Sequence, residues 1–170
     1  IEEGAFDAIA IGRPMLADPD LPKKVAIGRP DKIRPCIACN QGCLLRLLQG
    51  LPSGCAVNPL IGRDKDYAPT PALVRKSVVV VGGGVAGMEA ARTCAMRGHR
   101  VTLLEKGDEL GGHLISGGAH DFKGEVRELN LWYQGELDDW GVDVRMGVEA
   151  TPELVDGLAP DAVILASGSS

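Results

Sequence analysis

Ser77-Val78-Val79-Val80-Val81-Gly82-Gly83-Gly84-Val85-Ala86-Gly87 is the stretch on which the fold turns. An unbroken valine run bounded by glycine reads as a short buried strand, Ser77 to Val81. Gly82, Gly84 and Gly87 form a G-x-G-x-x-G loop that opens a helix from Val85 to Arg97, with Gly98 as its C-cap. In such a loop the first glycine allows a tight turn, the second lets the backbone approach a pyrophosphate, and the third lets helix pack closely on strand. The helix N-terminus adds unpaired N–H groups and a partial positive charge. Arg100 to Glu105 reads as a second strand, and Glu105 ends it where an acid can accept hydrogen bonds from adenosine ribose hydroxyls. Strand, loop, helix and acid together predict a β–α–β dinucleotide site.

Downstream the pattern continues. After a loop containing Gly111 and Gly112, residues Val126, Leu129, Tyr133, Leu137 and Trp140 recur at helical spacing, predicting an amphipathic helix over Lys123 to Trp140. Val142 to Met146 and Asp161 to Ala166 supply two more strands, and the chain stops at Gly168-Ser169-Ser170, where a sheet of this kind would continue. Residues 77–170 are therefore expected to be an incomplete Rossmann-like domain. Leu110-Gly111-Gly112 and Ala166-Ser167-Gly168 resemble the FAD-binding half of the glutathione-reductase-like flavoproteins. That resemblance implies a glycine pair beside the flavin pyrophosphate, and a domain crossover at which Ser167 stands where threonine is usual. FAD is favoured; an ADP-only or NAD site is the alternative.

Upstream lie Cys36, Cys39, Cys43 and Cys55, spaced C-x2-C-x3-C-x11-C. In a reducing compartment this reads as metal binding rather than a disulfide framework. Closed zinc sites commonly pair two C-x2-C knuckles. One such pair, a third cysteine close by and a remote fourth suit a 4Fe–4S cluster held by thiolates alone, with zinc as the competing reading. Gly42 and Gly54 each precede a ligand and let the backbone bend close to the bound group. Leu44 to Leu48 predict a short helix closed by Gly50, and Pro52-Ser53-Gly54 turns the chain back to Cys55. Cys94, among alanines on the predicted helix, reads as a small buried hydrophobe.

The cysteine module spans 29–62, and 63–76, polar with Pro69 and Pro71, reads as a linker. Residues 1–28 read as the end of an α/β unit. Ile1 to Gly4 is a helix end, Asp7 to Ile11 a short buried strand, and Met15 to Val25, which holds Pro19 and Pro22, a turn followed at best by a short helix. One strand and one helix have no core of their own, so partner strands are expected outside the sequence, and the 170 residues are expected to be a piece of a longer protein.

Eighteen basic against 23 acidic residues, net −5, argue against nucleic acid as a partner. No apolar run approaches the ~20 residues of a membrane span, and Glu2 and Glu3 do not suit a signal peptide. A cytoplasmic protein with a small-molecule substrate is expected, its oligomeric state open.

Arg34-Pro35-Cys36-Ile37-Ala38-Cys39-Asn40-Gln41-Gly42-Cys43, with Cys55-Ala56-Val57-Asn58-Pro59, closely resembles the multidomain NADH:flavin oxidoreductases related to old yellow enzyme. That family includes 2,4-dienoyl-CoA reductase, 2-enoate reductase and trimethylamine dehydrogenase. The resemblance implies an FMN-binding (β/α)8 barrel, a 4Fe–4S module and a glutathione-reductase-like FAD and NAD(P)H region. Under it, Gly4 to Pro14 looks like the eighth barrel strand and the turn after it, so Gly12 and Arg13 inherit binding of the FMN phosphate. Leu16-Ala17-Asp18-Pro19 fits the same pattern structurally.

The implied activity is passage of electrons from NAD(P)H through FAD, cluster and FMN to an activated C=C bond in an enoate, dienoyl-CoA or enone. An amine dehydrogenase or N-demethylase on the same scaffold is the alternative, and a zinc-stapled nucleotide-binding module without catalysis is another. Gly111-Gly112-His113-Leu114 occurs in the amine dehydrogenase too, so His113 does not decide between them. His99, His113 and His120 read as surface or packing residues. The proton donor is expected on barrel loops outside this chain, so no catalytic residue is assigned.

Overall fold

The chain divides into two compact units, residues 1–66 and 67–170. The computed structural model describes residues 4, 5 and 7–168.

The first unit is built from short elements. Helix α1 (Arg13–Ala17) and helix α2 (Leu21–Ala26) each carry proline in the first turn, where its missing N–H costs nothing. A 3-10 turn (Pro30–Lys32) leads into an irregular segment through Cys36 and Cys39. A π-turn (Gln41–Leu45) then runs into α3 (Arg46–Leu48), and Gly50, at φ +67°, closes it as the sequence predicts.

The strand predicted over Asp7 to Ile11 does not form: residues 7–11 lie exposed and unpaired, Ile9 at 62% and Ile11 at 42% exposure. A lone apolar run has no ladder to join when the described residues of its unit contain no other strand. The helix end predicted at Ile1 to Gly4 falls mainly outside the described residues. A helical turn, α4 (Asp64–Tyr67), occupies part of the predicted linker, and the division between units falls at its end. The rest of that stretch is tied down, because Ala72 N–H donates to the Arg97 carbonyl and Arg97 Nε donates to the Thr70 carbonyl.

The interior of this unit is mostly polar. Among its described residues only Ala17 and Val57 are buried apolar side chains, beside buried Asp18, Arg34 and Asn58. Asp18 Oδ2 accepts from the Arg34 N–H (2.8 Å) and from Lys24 Nζ (2.6 Å), and Arg34 donates to the Val57 carbonyl at 2.6 Å. Asn58 Nδ2 donates to the Leu16 carbonyl at 2.8 Å. Each buried polar group is thereby partnered, which removes the penalty of taking it from water.

The second unit is an α/β fold on a parallel sheet. Strand β1 (Ser77–Val81) leads through α5 (Val85–Met96) to β2 (Arg100–Leu104). Helices α6 (His113–Gly117) and α7 (Gly124–Asp139) precede β3 (Asp143–Arg145), and α8 (Pro152–Gly157) precedes β4 (Ala162–Leu165). The strand order is β3-β2-β1-β4, parallel throughout. Val78 pairs with both Val101 and Ala162 at the centre of the sheet, so Val78, Val79 and Val80 are buried, as expected for a strand covered on both faces. Met88 and Ala91 of α5, Leu103 of β2, and Leu129 and Leu137 of α7 complete the core. The sequence predicts these strands and the two long helices within a residue or two. It does not predict α6 or α8. No helix among the described residues is long and apolar enough to cross a membrane.

Candidate functional site

In the second unit, chain order sends the sheet outward from β1 to β2 and β3, and then back to β4 on the other side of β1. At such a switch point the loops leaving the strand ends diverge and open a crevice. A cleft of ≈ 490 Å³ lies there, lined by the ends of β1 (Gly82), β2 (Glu105) and β4 (Ser167), with Gly84, Gly112 and His113.

The three loop glycines have separate reasons to be glycine. Gly82 has φ +104°, and a Cβ on it would overlap the Ala166 carbonyl. A Cβ on Gly87 would overlap the Gly82 carbonyl oxygen, so α5 could not approach β1. Gly84 is different: its φ of −72° suits any residue, and a Cβ there would meet nothing within 4 Å. The space it leaves free opens onto the cleft, so the backbone is bare where a pyrophosphate would press against it.

The predicted glycine pair joins this loop. Gly111 N–H donates to the Gly83 carbonyl at 2.9 Å, and Gly84 and Gly111 form a parallel bridge. Gly112, at φ +52°, packs so closely that its Cβ position is 3.1 Å from the Gly84 Cα. Two glycine turns distant in sequence therefore make one wall.

Glu105 braces the same wall. Its Oε2 accepts from Gly83 N–H at 2.6 Å and its Oε1 from Gly107 N–H at 2.7 Å. Each oxygen keeps a free lone pair, so the carboxylate can fix the loops and still accept from a ligand hydroxyl.

Asn130 of α7 is a residue that sequence reading misses. Its Nδ2 donates to the Leu110 carbonyl at 2.9 Å, while its buried Oδ1 has no partner. The amide occupies the space a Gly111 side chain would need, 2.6 Å from that Cβ position. Nothing local marks it, because its contact is made across a loop from another helix. Of the histidines, His113 lines the cleft, whereas His99 Nδ1 accepts from the Lys76 N–H and His120 stacks on Phe122.

In the first unit, Cys36, Cys39, Cys43 and Cys55 all line one cavity, together with Arg13, Asn40 and Gly42. All are free thiols. Ala38 and Asn40, on either side of Cys39, adopt φ +52° and +57°, a left-handed strain of about 1 kcal/mol or more per residue that marks functional loops. A Cβ on Gly42 would lie 2.9 Å from the Cys55 backbone, and Gly54 N–H donates to the Gly42 carbonyl at 2.6 Å. Only glycine lets the turn carrying Cys43 lie against the segment carrying Cys55. Among the described residues no group of three or more Cys, His, Asp or Glu side chains is arranged to hold a metal ion. Gly12 precedes α1, and Arg13 donates to Asn40 Oδ1 at 2.7 Å.

Residues 77–152 match the profile of the FAD dependent oxidoreductase family. Cinnamate reductase of Clostridium sporogenes is 49% identical over 170 residues, all of this chain and 26% of the relative. NADH oxidase of Thermoanaerobacter brockii is 48% identical over 99% of this chain and 26% of its own length. The structure of a 2-naphthoyl-CoA reductase superposes with a TM-score of 0.96 at 41% identity, over 99% of this chain and 26% of that one. The chain thus spans about a quarter of the length of these relatives, and it belongs, as a segment, to the multidomain NADH:flavin oxidoreductase family related to old yellow enzyme.

Proposed function

We propose that the chain is the electron-transfer portion of an FMN-, FAD- and 4Fe–4S-dependent NAD(P)H oxidoreductase that reduces activated C=C bonds of enoate, dienoyl-CoA or enone substrates. The observation that carries this reading is the presence in one chain of a cavity lined by four thiols and a cleft whose glycine wall is bare at Gly84. Cys36, Cys39, Cys43 and Cys55 would hold the cluster. Gly82, Gly84, Gly87, Glu105, Gly111, Gly112 and Ser167 would hold FAD, and Gly12 and Arg13 the FMN phosphate. When bound, the flavins supply hydride chemistry and the cluster one-electron transfer.

The chain's own residues hold and orient. Residues 1–28 are assigned to the barrel end, 29–62 to the cluster module and 77–170 to the FAD domain, with 63–76 between. The thiol cavity offers four sulfur donors from one short stretch of chain, the donor set of a thiolate-held cluster. A unit with two buried apolar side chains among its described residues also gains from a thiolate-bound staple, since small cores seldom suffice. The names of the relatives, cinnamate reductase and 2-naphthoyl-CoA reductase, favour reduction over amine oxidation.

The test is anaerobic turnover by the full-length protein with NADH and NADPH against enoates, enoyl- and dienoyl-CoA esters and methylated amines. Nicotinamide oxidation dependent on an unsaturated acid or thioester is expected. Amine oxidation without reduction of any alkene would overturn the reading. Cys43→Ala is expected to lose the cluster and NAD(P)H-driven turnover while FAD is still reduced.

A further inference from the structure

Arg13 stands out in the first unit because it faces the thiols. Among the described residues lining the cysteine cavity, it is the one side chain besides the thiols that ionises. Its position is held: the guanidinium donates to Asn40 Oδ1 at 2.7 Å, and Asn40 is fixed in a left-handed conformation next to Cys39. The segment that carries Arg13 is anchored as well. Asn58 binds the Leu16 carbonyl, and the backbone N–H of Arg34 binds Asp18, so α1 is tied to the segments on which Cys36 and Cys55 lie. A cation on a surface loop is screened and mobile. Arg13 is exposed too, but its bond to Asn40 tethers it at the rim of the cavity that the four cysteines line.

We propose that Arg13 is a redox-tuning residue of the thiol site, raising the reduction potential of the iron–sulfur cluster seated there. The inference rests on the cluster assignment above. A cluster held by thiolates is anionic, and reduction adds one more negative charge. A fixed positive charge nearby stabilises the reduced form more than the oxidised form. Asn40 is the positioning residue: it sets where that charge sits without carrying charge itself. The role is separate from phosphate binding by the same guanidinium, and the two have opposite signatures. Losing the cation lowers the cluster potential, whereas losing a bound anionic phosphate raises it.

The experiment is a redox titration of the cluster, followed by electron paramagnetic resonance, in anaerobically purified full-length protein. Iron, acid-labile sulfide and flavin are measured in each sample. Arg13→Gln is expected to shift the midpoint to lower potential with cluster content unchanged, and the shift is expected to shrink at high salt. Arg13→Lys, which keeps the charge, is expected to stay near the wild-type value. Asn40→Gly keeps the left-handed turn and frees the guanidinium, and an intermediate downward shift is expected. An unchanged or raised midpoint in Arg13→Gln with full cluster content would overturn the proposal. Should Arg13→Gln emerge without its cluster, Asn40→Gly decides by the same criterion. Wild-type protein lacking iron and labile sulfide would instead overturn the cluster assignment itself, an outcome separable from failure of the tuning role.

Discussion

Gly84 and Gly111 pair as a parallel bridge, bringing together two turns from opposite ends of the first β–α–β unit. The wall they form has no side chain on the cleft side at Gly84 and no room for one at Gly87. Binding and folding therefore separate at two glycines three residues apart in the same loop.

Gly84→Ala is expected to leave the thermal midpoint near wild type and to weaken FAD by roughly tenfold or more, about 1.4 kcal/mol. Gly87→Ala should do the reverse, destabilising the fold by roughly 1–3 kcal/mol through overlap with the Gly82 carbonyl. Thermal melts of the apoprotein and FAD titrations of both variants check the pair; equal loss of stability in both would contradict the division of roles.

Asn130 anchors the second turn through the Leu110 carbonyl, at the cost of an unpartnered buried oxygen. Asn130→Ala removes a good bond and an orphan together, so stability should change by less than about 1 kcal/mol. FAD dissociation should nevertheless quicken, because the Gly111–Gly112 turn loses its brace. Asn130→Asp, which sets a carboxylate against a carbonyl, is expected to be worse on both counts. Stopped-flow release of FAD and apoprotein melts measure these separately.

Arg92 links the two long helices: its Nε donates to Glu136 Oε2 at 2.7 Å, and its guanidinium lies 5.1 Å from the centre of the Trp132 ring. Both partners of the ion pair are largely buried. Glu136→Ala leaves Arg92 the longer pairing with Glu89 at 3.4 Å and should cost roughly 1.5–3 kcal/mol. Changing Arg92 and Glu136 together to apolar residues is expected to recover part of that loss in chemical denaturation.

Burial pushes the Cys94 thiol above its ordinary pKa, and Arg97 offsets this only in part. The neutral thiol is the favoured form in the folded protein, so the folded state holds its proton longer than the unfolded chain does. Stability from this group is complete below the ordinary thiol pKa and declines as pH rises through the elevated one. At neutral pH Cys94 should alkylate more slowly than a free thiol, with the rate rising in alkaline solution. Mass spectrometry of iodoacetamide-treated holoprotein checks this.

The dinucleotide half was legible because its signals are local. A valine run, three glycines and a terminal acid each act within a few residues of where they stand. Helix α8 was legible too, though unread: Thr151 accepts from the Leu154 N–H at 3.2 Å and Pro152 opens the helix, a cap written in the sequence. Helix α6 gave no such sign, being one turn that starts on Gly112. Asn130 and the Arg13–Asn40 bond join segments remote in sequence, and no periodicity predicts them. Asp7 to Ile11 failed for the opposite reason. Its apolar pattern is that of a strand, but pairing is a property of two segments, and the second is not among the described residues of that unit.

Everything assigned to the first unit depends on what its four thiols hold. Iron, zinc and acid-labile sulfide in anaerobically purified full-length protein, measured beside the flavin content of the same sample, test this most directly. Equal amounts of iron and labile sulfide, with both FAD and FMN present and zinc absent, are predicted. Zinc in the thiol site without labile sulfide would contradict the account.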